Sequence, residues 1–302
     1  MHINLNKAVT LEVGRLNQPV VTLYQVAIVI FKLYQARTYR GEKLVHLKKK
    51  HPERSDCMRV IRDLEGLGIL EKSVSVRHPE VFSVLGREQG PVEEVVCSID
   101  PFAYISHLSA MEWHGLTDRI ARTLTYSSPP PKQWQQFAYE KMRKDIGEDE
   151  VQDYRQQRLP HLKRLNLRRI GRITVHRYLS EHLGAFVSVQ GRSLRVSTIG
   201  RTFLDMIREP DLCGGIYHVL EVYDEHVPRY LKLVVDEIDR HGRDIDKVRA
   251  GYILEEHMRL SEPRIENWRQ FVQRGGSRKL YARSPYSANY SENWCLSINV
   301  DL

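Results

Sequence analysis

Arg54-Ser55-Asp56-Cys57-Met58-Arg59-Val60-Ile61-Arg62-Asp63-Leu64-Glu65-Gly66-Leu67-Gly68-Ile69-Leu70-Glu71-Lys72 decides how the N-terminal third of this chain is read. Cys57, Val60, Ile61, Leu64 and Leu67 recur at helical spacing, while Ser55, Arg59 and Arg62 share the opposite face. Arg54-Ser55-Asp56 opens the helix, Gly66 and Gly68 end it, and Ile69 to Lys72 with Val74 and Val76 begins a strand. That strand turns at Arg77-His78-Pro79-Glu80 and returns over 81–85. Working upstream, the spacing of Val26, Ile30 and Leu33 predicts a helix over 22–34 capped by Thr22. A short second helix is predicted over 41–49 with Leu44, Val45 and Leu47 inward, and His51-Pro52 stops it because a residue before proline avoids the α region.

Helix, helix, helix, hairpin is the order of a winged helix-turn-helix, whose third helix enters the major groove while the hairpin lies along the backbone. On that reading Arg59 and Arg62 reach base edges, most naturally guanine O6 and N7, with Ser55 on the same face. Lys43, Lys48, Lys49, Lys50 and Arg54 are placed to neutralise phosphates, and Lys72, Arg77 and His78 to make wing contacts. A solvated basic face, or a winged helix used only for protein interaction, are the plainer readings of the same residues.

The 302 residues allow about two domains at ~100–200 residues each, and the expected division is 1–92 and 93–302. The chain carries 46 Lys and Arg against 38 Asp and Glu, a net charge of +8 that favours a polyanionic partner. Charge alternates along it: 1–90 holds 15 basic and 9 acidic residues, 91–150 holds 6 and 10, 151–210 holds 12 and 4. Each basic block also carries regular apolar residues, which excludes a disordered cationic tail. The four cysteines, at 57, 97, 213 and 295, form no CxxC pair and read as reduced thiols without a zinc ribbon. No apolar run reaches the ~18 residues of a membrane span, and no leader is visible, so a cytoplasmic protein is expected.

Beyond residue 100 the chain reads as mixed α/β. Ser106 caps a helix that Gly115 closes, strands are expected near 122–126, 172–178 and 185–189, and Thr198 caps a helix over 201–207. Helices are expected at 216–225, 228–240, 248–259 and 264–273, and a last strand at 294–300. Ser127-Ser128-Pro129-Pro130-Pro131 is expected to forbid regular structure and mark a loop.

Ser106-x-x-Ser109-Ala110 with Gly115-Leu116-Thr117, then Thr198-x-x-Arg201-Thr202-x-x-Asp205, then Asp211-x-x-Gly214-Gly215 make the chain resemble the AbiEi-type antitoxins of abortive-infection toxin–antitoxin systems. The resemblance implies an operator-binding winged helix-turn-helix followed by a mixed α/β antitoxin domain. It also implies two partners, double-stranded operator DNA and a cognate nucleotidyltransferase-like toxin countered in phage defence.

No catalytic signature stands out. The thirteen histidines include no HExxH or HxH, Ser106 and Ser109 read as caps near His107 and His114, and Asp236, Asp239, Asp244 and Asp246 read as a solvated face laced with ion pairs. Arg274 to Lys279 reads as a plain loop, and Arg201 with Asp205 as an i, i+4 pair worth a few tenths of a kcal/mol, about 0.3. No cofactor and no metal is expected. The block 155–177, with Arg164, Arg168, Arg169 and Arg172 at its centre, suits either a longer DNA footprint or an acidic toxin surface, or stands as an ordinary charged face. The reading is thus an autorepressor and antitoxin, not an enzyme. Its rivals are a nucleic-acid-processing enzyme that docks through the winged helix and a regulator that senses a small molecule.

Overall fold

Residues 2–87, 90–182 and 184–301 are described by a computed structural model, which is mixed α+β with eleven α-helices and several small sheets among them. Two compact units emerge: Met1–Tyr104, Ser127–Leu183 and Ser188–Arg195 form the first, and Ile105–Tyr126, Gly184–Val187 and Val196–Leu302 the second. The expected division at 92/93 falls at the start of the helix Val92–Ile99, inside the first unit.

The first unit opens with β1 (His2–Ile3) and α1 (Leu5–Arg15), a helix the sequence reading did not anticipate. Asn4 caps it by accepting the Lys7 N–H at 2.8 Å, and Leu5, Ala8, Val9 and Val13 bury one face. After β2 (Val20–Thr22) comes α2 (Leu23–Ala36), where Thr22 and Gln25 form the expected cap as a full capping box.

The helix expected over 41–49 is replaced by a hairpin of β3 (Thr38–Tyr39) and β4 (Glu42–Leu44) followed by loop. Arg40 and Gly41 both take positive φ, +49° and +83°, the two-residue turn geometry that matches strand twist. Parallel pairing of β1 with β4 adds a third strand, so Leu44 buries from a sheet, while Val45 and Leu47 lie half-buried in the loop that follows.

α3 (Arg54–Gly66) forms as expected with Cys57, Val60, Ile61 and Leu64 buried, although Leu67 is exposed. β5 (Leu70–Lys72) and β6 (Val81–Val84) follow, and β6 lies between β2 and β5 in an antiparallel sheet.

The chain re-enters this unit at Ser127. The expected break shrinks to Pro129 and Pro130, because Ser127 and Ser128 end the strand Thr123–Ser128 and Pro131 opens the helix Pro131–Ile146. Proline suits that first helical position, whose N–H has no partner inside the helix. A short turn (Glu148–Glu150) and helix (Val151–Gln156) then drive Tyr154 into the core of α1, α2 and α3. Its ring meets Phe31 edge-on at 5.1 Å, and its hydroxyl donates to the Pro160 carbonyl at 2.5 Å.

In the second unit the helix His107–Trp113 packs near the helix Ile199–Arg208, which Thr198 caps as expected. That second helix is buried from Gly200 to Ile207, so Arg201 and Asp205 pair at 2.8 Å inside the protein and not on a surface. The two helices expected at 216–225 and 228–240 are one, Ile216–His241, with Pro228 inside it. The proline removes one backbone hydrogen bond, while Val227, Val234 and Val235 bury fully on either side and hold the helix through it.

The stretch expected as helix over 248–259 divides into a helix Asp244–Gly251 and a π-helical turn Tyr252–His257. Gly251 is obligatory there, since a Cβ would stand 2.1 Å from the buried Trp294 ring. Pro263–Asn267 is helical, and the last strand contracts to Leu296–Ser297, paired with Tyr290–Ser291.

Of the acidic face expected to be solvated and laced with ion pairs, Asp239 and Asp244 are exposed and Asp236 is half-buried, but Asp246 departs from it. Asp246 is fully buried and takes Arg208 Nε at 2.6 Å and Arg243 Nε at 3.2 Å. Asp239 accepts the Trp268 indole N–H at 2.9 Å, and Asp236 pairs with Arg264. Burial disfavours the Asp246 carboxylate, but Arg208 and Arg243 outweigh it and hold the carboxyl below its ordinary value.

Two measurements test these cores. Tyr154→Ala is expected to lower stability of the first unit by about 3–5 kcal/mol in denaturant unfolding, as for large buried rings elsewhere. Asp246→Asn leaves Arg208 buried without its anion and is expected to cost about 3–5 kcal/mol. Because the folded carboxyl titrates below the unfolded one, that contribution is full above about pH 4 and fades as pH falls further in wild type, but not in the variant.

Candidate nucleic-acid interface

α3 presents Arg54, Ser55, Arg59 and Arg62 to solvent directly opposite its buried Cys57, Val60, Ile61 and Leu64. Its first turn is organised by Asp56, a buried carboxylate that accepts the Glu53 N–H at 3.1 Å, Lys49 Nζ at 3.1 Å and Arg59 Nη2 at 3.2 Å. Burial opposes its ionised form, yet the Glu53 hydrogen bond and the Lys49 and Arg59 charges hold its carboxyl below the ordinary range. Arg59 is thereby aligned along the exposed face, and Lys49 is bound to Asp56 and to Glu53 at 3.1 Å.

Lys48 and Lys50 stay exposed, and among the described residues neither pairs with a carboxylate. The loop that carries them is held from behind by Arg37, left-handed at the end of α2, whose guanidinium donates to the carbonyls of Leu47 at 2.9 Å, of Lys50 at 3.3 Å and of Lys49. Lys43 sits exposed on β4.

The hairpin after α3 behaves differently at its base and tip. Lys72 folds back over the Phe82 ring at 4.1 Å, donates to the Pro79 carbonyl at 2.9 Å and lies 3.7 Å from Glu65. It braces the hairpin. Arg77, at the tip with φ +53°, is exposed, and His78 Nδ1 accepts the Glu80 N–H at 3.2 Å.

Residues of the 155–177 block separate just as clearly. Arg155 lies over the Tyr139 ring at 5.3 Å, Lys163 pairs with Glu80 at 2.6 Å, Arg164 donates to the Pro129 carbonyl at 2.9 Å, and Arg177 to that of Leu165. Those cations serve the fold. Arg168, Arg169 and Arg172 are exposed and ion-paired with nothing among the described residues.

They are not isolated, however. The Gly171 N–H donates to the Ser75 carbonyl at 2.8 Å and draws the turn 169–173 against the hairpin tip. Arg77, His78, Arg168, Arg169 and Arg172 therefore line one cleft of about 530 Å³, and no carboxylate lines it. Four guanidiniums converging without an acid suit a string of phosphates, for which arginine offers paired donors. Sequence reasoning named these residues but could not join them: nothing in the order of the chain ties 77 to 168.

The residues that carry the AbiEi resemblance lie in the second unit and hold it together. Ser109 Oγ accepts the Thr125 N–H at 3.1 Å, Thr202 and Ser197 share a hydrogen bond at 2.8 Å, and Asp211 pairs with Arg283 at 2.7 Å. His114 Nε2 donates to the Ser197 carbonyl at 2.7 Å, and burial lowers the pKa of the ring.

No family model matches this chain, and no curated protein matches it. Its fold is similar to that of the RV2827C protein from Mycobacterium tuberculosis, whose crystal structure aligns with a TM-score of 0.50 at 13% identity. The alignment covers 97% of this chain and 90% of that one.

Replacing Arg77, Arg168 and Arg172 together by alanine is expected to flatten the dependence of log affinity for duplex DNA on log salt by about 0.9 for each phosphate no longer neutralised. Titrations at several salt concentrations, with circular dichroism to check folding, measure it. Neutralising Lys48 and Lys50 is expected to act similarly on all sequences.

Proposed function

We propose that this chain is a DNA-binding transcriptional autorepressor and antitoxin that counteracts a nucleotidyltransferase-like partner toxin in phage defence. The observation that carries the DNA half is the cationic face of α3, set over an apolar face and followed by a hairpin whose tip joins the arginine cleft. The order α1, β2, α2, α3, β5, β6, with β6 between β2 and β5, supports a winged helix-turn-helix in which α3 reads bases and the hairpin lies along the backbone. In this reading β3 and β4 are an insertion between the second and third helices. Arg59 and Arg62 discriminate bases, while the cleft, Lys48, Lys50 and Arg54 neutralise phosphates.

The antitoxin half rests on the resemblance of the second unit's motifs to AbiEi-type antitoxins. A cytoplasmic site of action follows from both halves, since operator and toxin are found there.

Arg59→Ala and Arg62→Ala are expected to weaken binding to the chain's own promoter by about 1–3 kcal/mol each and binding to random duplex much less. Equal losses on both would remove α3 from the reading role. The full-length chain is further expected to rescue cells that express the toxin from an unrelated promoter, and the Arg59→Ala/Arg62→Ala variant to rescue them equally. Absence of rescue by wild type would limit the protein to repression.

A further inference from the structure

His51, Glu150 and Asp153 come together in the first unit at a place the DNA reading does not use. His51 ends the basic loop, just ahead of Pro52 and of Glu53, the residue that caps α3. Glu150 ends the turn Glu148–Glu150, and Asp153 lies one helical turn further on, beside the core residue Tyr154. One ligand-capable atom from each residue lies within 4.8 Å of the other two.

Three features set this cluster apart from an ordinary surface ion pair. The His51 side chain is only 14% exposed and its ring stacks on Phe31 at 6.1 Å, so packing fixes its place. Its approach to Asp153, Nε2 to Oδ2, is 3.4 Å, long for a charge-assisted hydrogen bond, which closes to about 2.7–2.9 Å. Finally, His51 Nδ1 and Glu150 Oε2 are both shielded from solvent without a hydrogen-bond partner. A shielded carboxylate oxygen with no donor needs a cation or a proton beside it.

We propose that His51, Glu150 and Asp153 bind a divalent first-row transition-metal ion. One imidazole nitrogen with two carboxylates is a borderline donor set that suits Mn²⁺ or Zn²⁺ better than Mg²⁺, which prefers oxygen and keeps its waters. Ligand atoms about 2.0–2.2 Å from a shared ion stand roughly 3–4 Å apart, a closure that rotation of the Glu150 and Asp153 side chains supplies. Asp153, 41% exposed, forms the open side where water completes the coordination. The bound ion joins the loop ahead of α3 to the 148–156 segment, and so fixes the entry to that helix.

The test needs neither DNA nor toxin. The full-length chain, stripped with chelator, is dialysed to equilibrium against Mn²⁺ or Zn²⁺ alone, and bound metal is counted beside a His51→Gln/Glu150→Gln/Asp153→Asn variant. Wild type is expected to hold one ion per chain more than the variant and to melt several degrees higher with the ion than with chelator. Glu150→Gln alone is expected to weaken binding at least tenfold. Should the triple variant fold poorly, Mn²⁺ titrated into wild type is expected to broaden the His51 ring-proton resonances before those of other histidines. Equal metal counts in wild type and folded variant, an unchanged melting temperature, or His51 signals that broaden no sooner than the rest would each overturn the site.

Discussion

Tyr154 lies fully buried among α1, α2 and α3, edge-on to Phe31, with its hydroxyl donating to Pro160, and the architecture of the first unit follows from that insertion. Ile146 and Leu159 enter the same core from either side of it. A phenol is inserted so deeply only if its polar end is satisfied, and the Pro160 carbonyl does this locally, within the segment that brings the ring in. The burial also pushes its pKa up, so the ring stays neutral at any physiological pH. The N-terminal helices thus share their core with residues from beyond the hundredth position.

Once Tyr154 is seated, the chain that follows has little choice of path. Leu159 is anchored, Lys163 reaches Glu80, and Gly171 reaches Ser75, so Arg168, Arg169 and Arg172 arrive beside Arg77. Like charges gathered in a cleft repel one another and destabilise the fold slightly, a cost that a bound polyanion reverses. Arg155, Lys163, Arg164 and Arg177 are instead spent on an aromatic ring, a carboxylate and two carbonyls, which is why a count of basic residues overstates the surface they offer.

Much of this was legible in the chain order. The two faces of α3, the Thr22 and Thr198 caps and the hairpin after α3 rest on contacts within a few residues, and there local rules hold. α1 is legible too, since Asn4 followed by Leu5, Ala8, Val9 and Val13 is a capped amphipathic pattern. The helix expected over 41–49 rests on apolar spacing alone, whereas Arg40 and Gly41 turn the chain back with positive φ. By contrast, Pro228 inside a long helix, the burial of Arg201 with Asp205, and the meeting of Arg77 with Arg168 depend on partners tens of residues away. Periodicity carries no information about such partners.

The discontinuity of the first unit has a consequence during synthesis. Its three N-terminal helices leave the ribosome well before Tyr154 and Leu159, and at about 5–20 residues per second the interval is on the order of several seconds. Through that interval Phe31 on α2 lacks the ring that later meets it edge-on, on a nascent chain whose first-unit core cannot yet close. The protein therefore completes its N-terminal half late, and slow codons or a holding chaperone near the middle of the message would act on the half already made.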